Sequence, residues 1–172
     1  MVTFENWYIT NLCKGNSRLK NATVSIDNRV AVDMYGTFAY CPSLTAIPEM
    51  SVNIKTAMYL FEGCTALTEI TLDLSSVKGS INWLFNGCTA LETVTLNAEN
   101  ARYSNNVFGN CSSLKTAIVN VGTAENISYM FQNCTELENL TLNAENATET
   151  TDCFKNCPKL TDFSNVHLKD DP

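Results

Sequence analysis

The hydrophobic positions of this chain follow one pattern that is repeated six times. Each copy has the form F-x-x-C-x-x-L, and the steps between successive cysteines are 23, 24, 23, 23 and 23 residues. Apolar side chains then follow each leucine as L-x-x-h-x-h, where h is apolar, which predicts a short strand with one face turned inward. Self-similarity at this period is typical of a solenoid, whose coils bury their apolar faces only against their neighbours. The sequence therefore predicts a stack of about six to seven rungs with one short parallel strand in each.

The two ends are predicted to differ from the body of the stack. Residues 3–14 carry aromatic and aliphatic side chains at helical spacing, so we expect an N-terminal helix that caps the core. Residues 19–26 resemble a degenerate rung, although Cys13 precedes its leucine by six residues instead of three. The predicted organisation is a cap over residues 1–33, a repeat body over residues 34–166 and a C-terminal tail over residues 167–172.

Two rungs of the body depart from the pattern. In the first, Glu49 occupies an inward strand position next to Pro48. Proline cannot donate to a backbone ladder, so we expect an irregular or edge-like strand there. The second rung has one extra residue, which we place in a bulged turn around Lys78 and Gly79.

The repeat resembles a known family. The segment Met130-Phe131-Gln-Asn-Cys134-Thr-Glu-Leu137-Glu-Asn-Leu140-Thr-Leu142 is similar to the 23-residue repeat of the BspA-like, or Treponema-type, bacterial leucine-rich repeats. The resemblance covers roughly residues 34–166. It implies a leucine-rich-repeat solenoid, usually on bacterial surface or secreted proteins that adhere to matrix proteins or host cells.

Composition and charge exclude several classes of partner. Eleven basic residues against eighteen acidic ones give a net charge of -7. Nucleic acid and anionic membranes require basic clusters, so neither is an expected partner. No apolar run is long enough to span a bilayer, so we expect no membrane insertion. The N-terminal sequence lacks the features of a signal peptide, which leaves cytoplasmic synthesis followed by virion assembly as an alternative to the surface location that the resemblance implies.

The cysteines are predicted to be structural. One cysteine per rung holds the same repeat position, and stacked strands lie about 4.8 Å apart. At this spacing we expect a column of buried thiols, and the alternatives of some disulfides or a metal site are less favoured. The column consists of Cys41, Cys64, Cys88, Cys111, Cys134 and Cys157.

No residue constellation indicates catalysis. The one histidine, His167, lies at the C-terminal end, so a Ser-His or Cys-His pair has no base within the repeats. Glu136 and Glu138 could be proposed as paired carboxylates, but charges solvated at the rim are the better interpretation. We therefore predict a non-enzyme without cofactor or metal.

Two surfaces are candidates for binding. Outward strand positions form two columns, which could bind a regular ligand or could simply suit a pleated surface and hydrogen-bond between rungs. Their members are Thr71, Thr95, Ile118 and Thr141, and Asp73, Asn97, Asn120 and Asn143. The second candidate is an aromatic stripe ahead of the repeated phenylalanine, formed by Tyr59, Trp83, Tyr103 and Tyr129. Tyrosine and tryptophan are enriched at interfaces, but these side chains could equally pack over the turns.

Two functions remain in competition. The first is a non-catalytic recognition module that binds a protein or glycan at a bacterial or host surface. The second is a structural subunit of a larger assembly, such as a phage virion decoration or tail protein, whose partners would be copies of itself and other subunits.

Overall fold

The computed structural model describes residues 2–3, 9–25, 29 and 31–169. Over these residues the chain winds into a stack of coils whose only regular elements are short strands. In chain order they are β1 (Val2–Thr3), β2 (Thr23–Ser25), β3 (Ala31–Asp33), β4 (Glu49–Ser51), β5 (Asn53–Thr56), β6 (Glu69–Asp73), β7 (Thr93–Asn97), β8 (Thr116–Asn120), β9 (Asn139–Ala144) and β10 (Val166–Leu168). This part of the chain contains no helix that could cross a membrane.

One side of the stack, which we call the strand wall, is made of parallel strands. β6 to β10 form one sheet in chain order, and β1, β2 and β4 form another. Each strand of the larger sheet pairs in register with the same position of the next rung, as Leu72 does with Leu96. A second ladder pairs β3 with β5 and is continued by single bridges. These bridges join Ser80, Tyr103, Asn126 and Glu149.

The opposite side, which we call the turn wall, repeats a six-residue turn once per coil. In the described residues these turns span 10–15, 35–40, 58–63, 82–87, 105–110, 128–133 and 151–156. The second and sixth residues of every turn have positive φ, as do Tyr59 (φ 57) and Gly63 (φ 67). Alternate N–H groups donate to the next coil, for example from Tyr59 to the Asn82 carbonyl at 3.0 Å. The turn wall is therefore a backbone ladder that satisfies its polar groups much as a sheet does.

The core consists of side-chain columns, one for each apolar repeat position. The six phenylalanine rings stack from rung to rung with centroids 5.4 to 5.9 Å apart. We number the rungs one to six by these residues: Phe38, Phe61, Phe85, Phe108, Phe131 and Phe154. The first five rings are buried, as are the repeated leucines beside them. Burial of each such side chain contributes about 1.5–3 kcal/mol, so the repeated positions hold the fold together.

The predicted helix over residues 3–14 is wrong in the part that can be described. Thr3 lies in β1, which pairs with β2, and residues 10–15 form a turn like those of the rungs. Residues 4–8 lie outside the described residues. The error has a physical source, because five of the seven turns bury residues at i, i+3, i+4 and i+7, such as Ala57, Leu60, Phe61 and Cys64. That spacing is also the signature of an amphipathic helix.

The coil that precedes the first phenylalanine includes a strand within residues 19–26, where the sequence predicted a degenerate rung, and its turn begins before residue 19. β2 pairs in parallel with β4, so residues 23–25 are a rung strand. Cys13 lies between the two positive-φ residues Asn11 and Gly15, which is the position of phenylalanine in later rungs. This placement explains why Cys13 precedes Leu19 by six residues instead of three.

The edge-like strand of the first rung and the bulge of the second are both confirmed, but Glu49, which was expected to face inward, is exposed. β4 pairs with β2 but not with β6, so the strand wall is interrupted at the rung that contains Glu49. Two residues, Lys78 and Gly79, separate buried Val77 from the bridge at Ser80, whereas one residue separates Ala101 from the bridge at Tyr103. A Cβ on Gly79 would lie 2.8 Å from the Lys55 carbonyl oxygen, so this bulge requires glycine. At the C-terminus, β10 includes His167 and Leu168, which the sequence had placed in the tail.

Candidate binding surface

The cysteine column lies inside the stack and offers no surface to a partner. All six repeat cysteines are buried, and all eight cysteines are free thiols. Each repeat thiol donates to a backbone carbonyl one rung earlier, as Cys88 Sγ does to Phe61 at 3.2 Å and Cys134 Sγ to Phe108 at 3.2 Å. Burial raises the pKa of the Cys64 thiol to about 12. The thiols are therefore protonated and unreactive at neutral pH, because the thiolate is the nucleophile and the metal ligand.

The strand wall exposes the first predicted column to solvent. Thr71, Thr95, Ile118 and Thr141 lie side by side across four paired strands. All four are exposed, and Ile118 is 51% accessible. No aromatic ring lies among them, so these four strands present no platform on which a sugar or a planar group could stack.

The second strand-wall column hydrogen-bonds largely to itself. Asn120 Nδ2 donates to Asn97 Oδ1 at 3.1 Å, and Asn97 Nδ2 donates to Asp73 Oδ1 at 3.2 Å. Hydrogen bonds from Ser75 lower the pKa of the Asp73 carboxyl. Asn143 Oδ1 accepts the N–H of Glu145 at 3.3 Å. These side chains join adjacent rungs and cap local turns, which supports the structural interpretation of this column.

The aromatic stripe lies on the turn wall, and only part of it is continuous. Tyr59 and Trp83 stack with centroids 4.9 Å apart and planes 5° apart, and Tyr35 packs on the other side of Tyr59 at 5.1 Å. Asn106 takes the same turn position in rung four, so the ring column stops before Tyr129 in rung five. Tyr103 belongs to the neighbouring ladder, where the Arg102 guanidinium lies 5.3 Å from its ring centroid.

The rings of this column stand at an unusual backbone position. Tyr59, Trp83 and Tyr129 have φ values of 57, 56 and 60. Bulky residues rarely adopt this left-handed conformation, which costs most residues about 1–2 kcal/mol. The corresponding residues in rungs one, four and six are Gly36, Asn106 and Asp152, which tolerate it well. The turn therefore does not itself require an aromatic residue at this position.

Sequence reasoning missed two members of this surface, Tyr35, which packs against Tyr59, and Tyr40. Tyr40 is 48% exposed at the second positive-φ position of its turn, with φ 56. Its ring covers Gly63, where an added Cβ would lie 2.6 Å from a ring carbon. Burial, and then a hydrogen bond to Glu62, raise the pKa of the Tyr40 hydroxyl. A signal was present, because later repeats place only glycine or asparagine where Tyr40 stands.

The groups considered for catalysis are not assembled. Glu136 and Glu138 both pair with Lys159, at 2.6 and 3.4 Å, on an exposed rim. This arrangement fits the interpretation of solvated rim charges. His167 is exposed on β10 at the last strand of the sheet.

Comparison with known proteins gives one match. A family model described as the BspA type leucine rich repeat region matches residues 32–161 in six copies. No curated protein and no solved structure matches the chain. The matched range begins at Val32 in β3 and ends just after Leu160, so it covers the six rungs that contain both phenylalanine and cysteine.

Proposed function

The chain belongs to the BspA-type leucine-rich repeat family, whose solenoids are generally non-catalytic scaffolds for recognition. On that premise we propose that this protein is a recognition module that binds a protein or glycan partner at a bacterial or host surface. The contact surface is the turn wall, with Tyr59, Trp83 and Tyr129 at its centre and Tyr35 and Tyr40 beside them.

One observation carries this proposal: aromatic rings occupy a backbone position that disfavours them. Stacking offsets part of the cost for Tyr59 and Trp83, because such pairs contribute about 0.5–1.5 kcal/mol. Tyr129 has no ring stacked on it within the described residues. Strain that the fold does not need is characteristic of functional positions. Tyrosine and tryptophan also supply most of the binding energy in many interfaces, which supports recognition through this wall.

Binding to a mixed array tests the proposal. The array carries neutral and charged glycans together with purified bacterial and host surface proteins, and the probe is the labelled full chain. The turn-wall variant replaces Tyr59, Trp83 and Tyr129 by asparagine, which the same position already holds in rung four. The matched control replaces the strand-wall residues Thr71, Thr95 and Thr141 by alanine.

We expect the wild type and the strand-wall variant to bind the same array elements and the turn-wall variant to lose them. Retention of binding by the turn-wall variant, or loss of it in the strand-wall variant, contradicts the assignment of the turn wall. A wild-type protein that binds nothing on the array contradicts recognition as the function.

The second candidate is a structural subunit of a larger assembly. It is favoured by Phe163, which is 47% exposed and packs edge-on against Phe154 at the last rung. Light scattering of the chain in reducing buffer distinguishes the two functions. The recognition module predicts a mass near the 19.0 kDa of one chain at all concentrations. A defined oligomer that dissociates on Phe163→Ser substitution supports the assembly subunit instead.

A further inference from the structure

The column of rings on the turn wall has a gap one rung wide. Trp83 in rung three and Tyr129 in rung five hold the same turn position, and Asn106 lies between them in rung four. A Cβ on Gly109 would lie 2.5 Å from Asn106 Oδ1 and 2.9 Å from Asn86 Oδ1. The Asn106 carboxamide therefore packs against Gly109, at a place where rung four has no side chain. We call the space between Trp83 and Tyr129 the ring gap.

The dimensions of the ring gap suit one additional ring. Successive rungs are about 4.8 Å apart, so Trp83 and Tyr129 are separated by roughly twice that distance. A ring midway between them would lie about 4.8 Å from each. Within the same column, Tyr59 and Trp83 already stack with centroids 4.9 Å apart.

In rung one, the column already contains a ring that comes from a different turn position. In rung one the position is Gly36, which has no side chain to place there. The ring of Tyr35, from the preceding position, packs against Tyr59 instead, with centroids 5.1 Å apart. In rung four the preceding residue is Asn105, so the chain supplies no ring at that level.

The turns that form the ring gap are uncharged and rich in amides, and the charges that flank them are Glu62, which accepts a hydrogen bond from Asn86, and the Lys155–Asp152 ion pair. The turns of rungs three, four and five span residues 82–87, 105–110 and 128–133, and they contain no charged residue. They present seven carboxamides, at Asn82, Asn86, Asn105, Asn106, Asn110, Gln132 and Asn133. The side chains of Asn105, Asn106 and Gln132 make no hydrogen bond to the part of the chain that the structure describes.

This chemistry selects among possible occupants. A cationic ligand would be stabilised by a carboxylate beside the rings, and an acidic sugar by a basic residue. The three turns offer neither. Carboxamides both donate and accept hydrogen bonds, which matches the hydroxyl groups of a neutral sugar. The aromatic faces match the C–H faces of its ring.

We infer that the ring gap binds a pyranose ring of a neutral glycan, held between Trp83 and Tyr129 and hydrogen-bonded by Asn105, Asn106 and Gln132. This inference rests on the proposed function and names the ligand class of the turn wall. A partner protein that inserts an aromatic side chain into the same gap is the competing outcome of the test.

The test titrates the full chain with four neutral probes: cellohexaose, maltohexaose, chitohexaose and mannohexaose. Calorimetry measures affinity, and saturation-transfer NMR reports which sugar protons lie against aromatic rings. The decisive variant is Asn106→Tyr, which adds a ring between Trp83 and Tyr129 at a backbone position that already holds tyrosine in rungs two and five. Its matched control is Asp152→Tyr, which adds the same ring at the same turn position in rung six, outside the gap.

We expect at least one probe to bind the wild type and Asp152→Tyr, and binding to be lost in Asn106→Tyr. Trp83→Ala and Tyr129→Ala should each weaken binding by about tenfold, which corresponds to the loss of one ring contact. The inference is overturned if none of the four probes binds, or if Asn106→Tyr binds as tightly as the wild type. If array proteins alone bind through the turn wall, the inference fails and the proposed function stands.

Discussion

Two columns of aromatic rings run along this solenoid, and they obey different rules. The inner column of phenylalanines is present in all six rungs and stacks at 5.4 to 5.9 Å. The outer column has rings at Tyr59, Trp83 and Tyr129, all at positive φ, and is interrupted by Asn106. A column that every rung needs is complete and relaxed, whereas one that the fold does not need can be partial and strained. The difference distinguishes residues that are needed to form the coil from residues whose side chains only lie on its surface.

The largest expected effect is that of pH on the free energy of unfolding, because the ionisable thiols lie inside the stack. Burial raises the pKa of the column thiols, to about 12 for Cys64, whereas thiols of an unfolded chain ionise at about 8.5. As the pH rises above about 8.5, the unfolded chain releases protons that the folded chain retains. The free energy of unfolding therefore falls, by up to about 1.4 kcal/mol per pH unit for each buried thiol.

Urea denaturation at several pH values between neutral and strongly alkaline measures this slope. Cys88→Ala removes one buried thiol, so its slope should be shallower than that of the wild type, while Thr95→Ala, which removes no ionisable group, should leave the slope unchanged. A wild-type stability that does not change over this range would mean that the thiols are not buried.

The next effect is the removal of one inner ring. Phe108→Ala leaves a cavity between Phe85 and Phe131, whose rings lie 5.7 and 5.4 Å from it. We expect a loss of about 3–5 kcal/mol in the free energy of unfolding. Chemical denaturation measures it, and a loss below about 1 kcal/mol would show that the inner column does not hold the rungs together.

A smaller effect with the opposite sign is expected inside rung four. Ser104 is fully buried, and its Oγ has no hydrogen-bond partner among the residues that the structure describes, while Ile81 and Ile127 hold the same position in the adjacent rungs. Ser104→Ala removes an unsatisfied polar group and should stabilise the protein by about 1–3 kcal/mol. The melting temperature should rise accordingly, and Ser128→Ala on the turn wall serves as the control. A destabilised Ser104→Ala protein would indicate a bound water at this hydroxyl.

The smallest effect is expected on the outer column. Tyr129→Asn loses the packing of a half-buried ring but relieves strain at a φ of 60, so the change in stability should stay within about 1 kcal/mol. Differential scanning calorimetry measures the stability of this variant and of Phe108→Ala, which changes the inner column one rung earlier. A loss as large as that of Phe108→Ala would place Tyr129 in the core.

The regular body of the fold could be predicted because each rung repeats the same burial pattern. The interrupted strand at Pro48 and Glu49 and the bulge at Gly79 could also be predicted, since each breaks a local rule of that pattern. The turn at residues 10–15 could not, because the turn wall buries residues at the spacing of a helix. The rung was also hard to recognise because Cys13 occupies the position that phenylalanine has in later rungs.

The candidate surface could be predicted only in part. The sequence identified Tyr59, Trp83 and Tyr129 but grouped Tyr103 with them, although Tyr103 lies on the neighbouring ladder. It did not reveal that these rings stand at positive φ, although four of the seven turns have glycine, aspartate or asparagine at the same position. Those four residues are the ones that tolerate the left-handed conformation, and their shared position was the missed signal.

The most direct test of the distinction between the columns is the free energy of unfolding of the triple variant Tyr59→Asn, Trp83→Asn and Tyr129→Asn. We expect a loss of at most about 2 kcal/mol, because the Tyr35–Tyr59 and Tyr59–Trp83 contacts are lost while strain is relieved at three positions. A loss of about 3–5 kcal/mol or more, comparable to that of a single inner phenylalanine, would contradict it and make the outer rings part of the core.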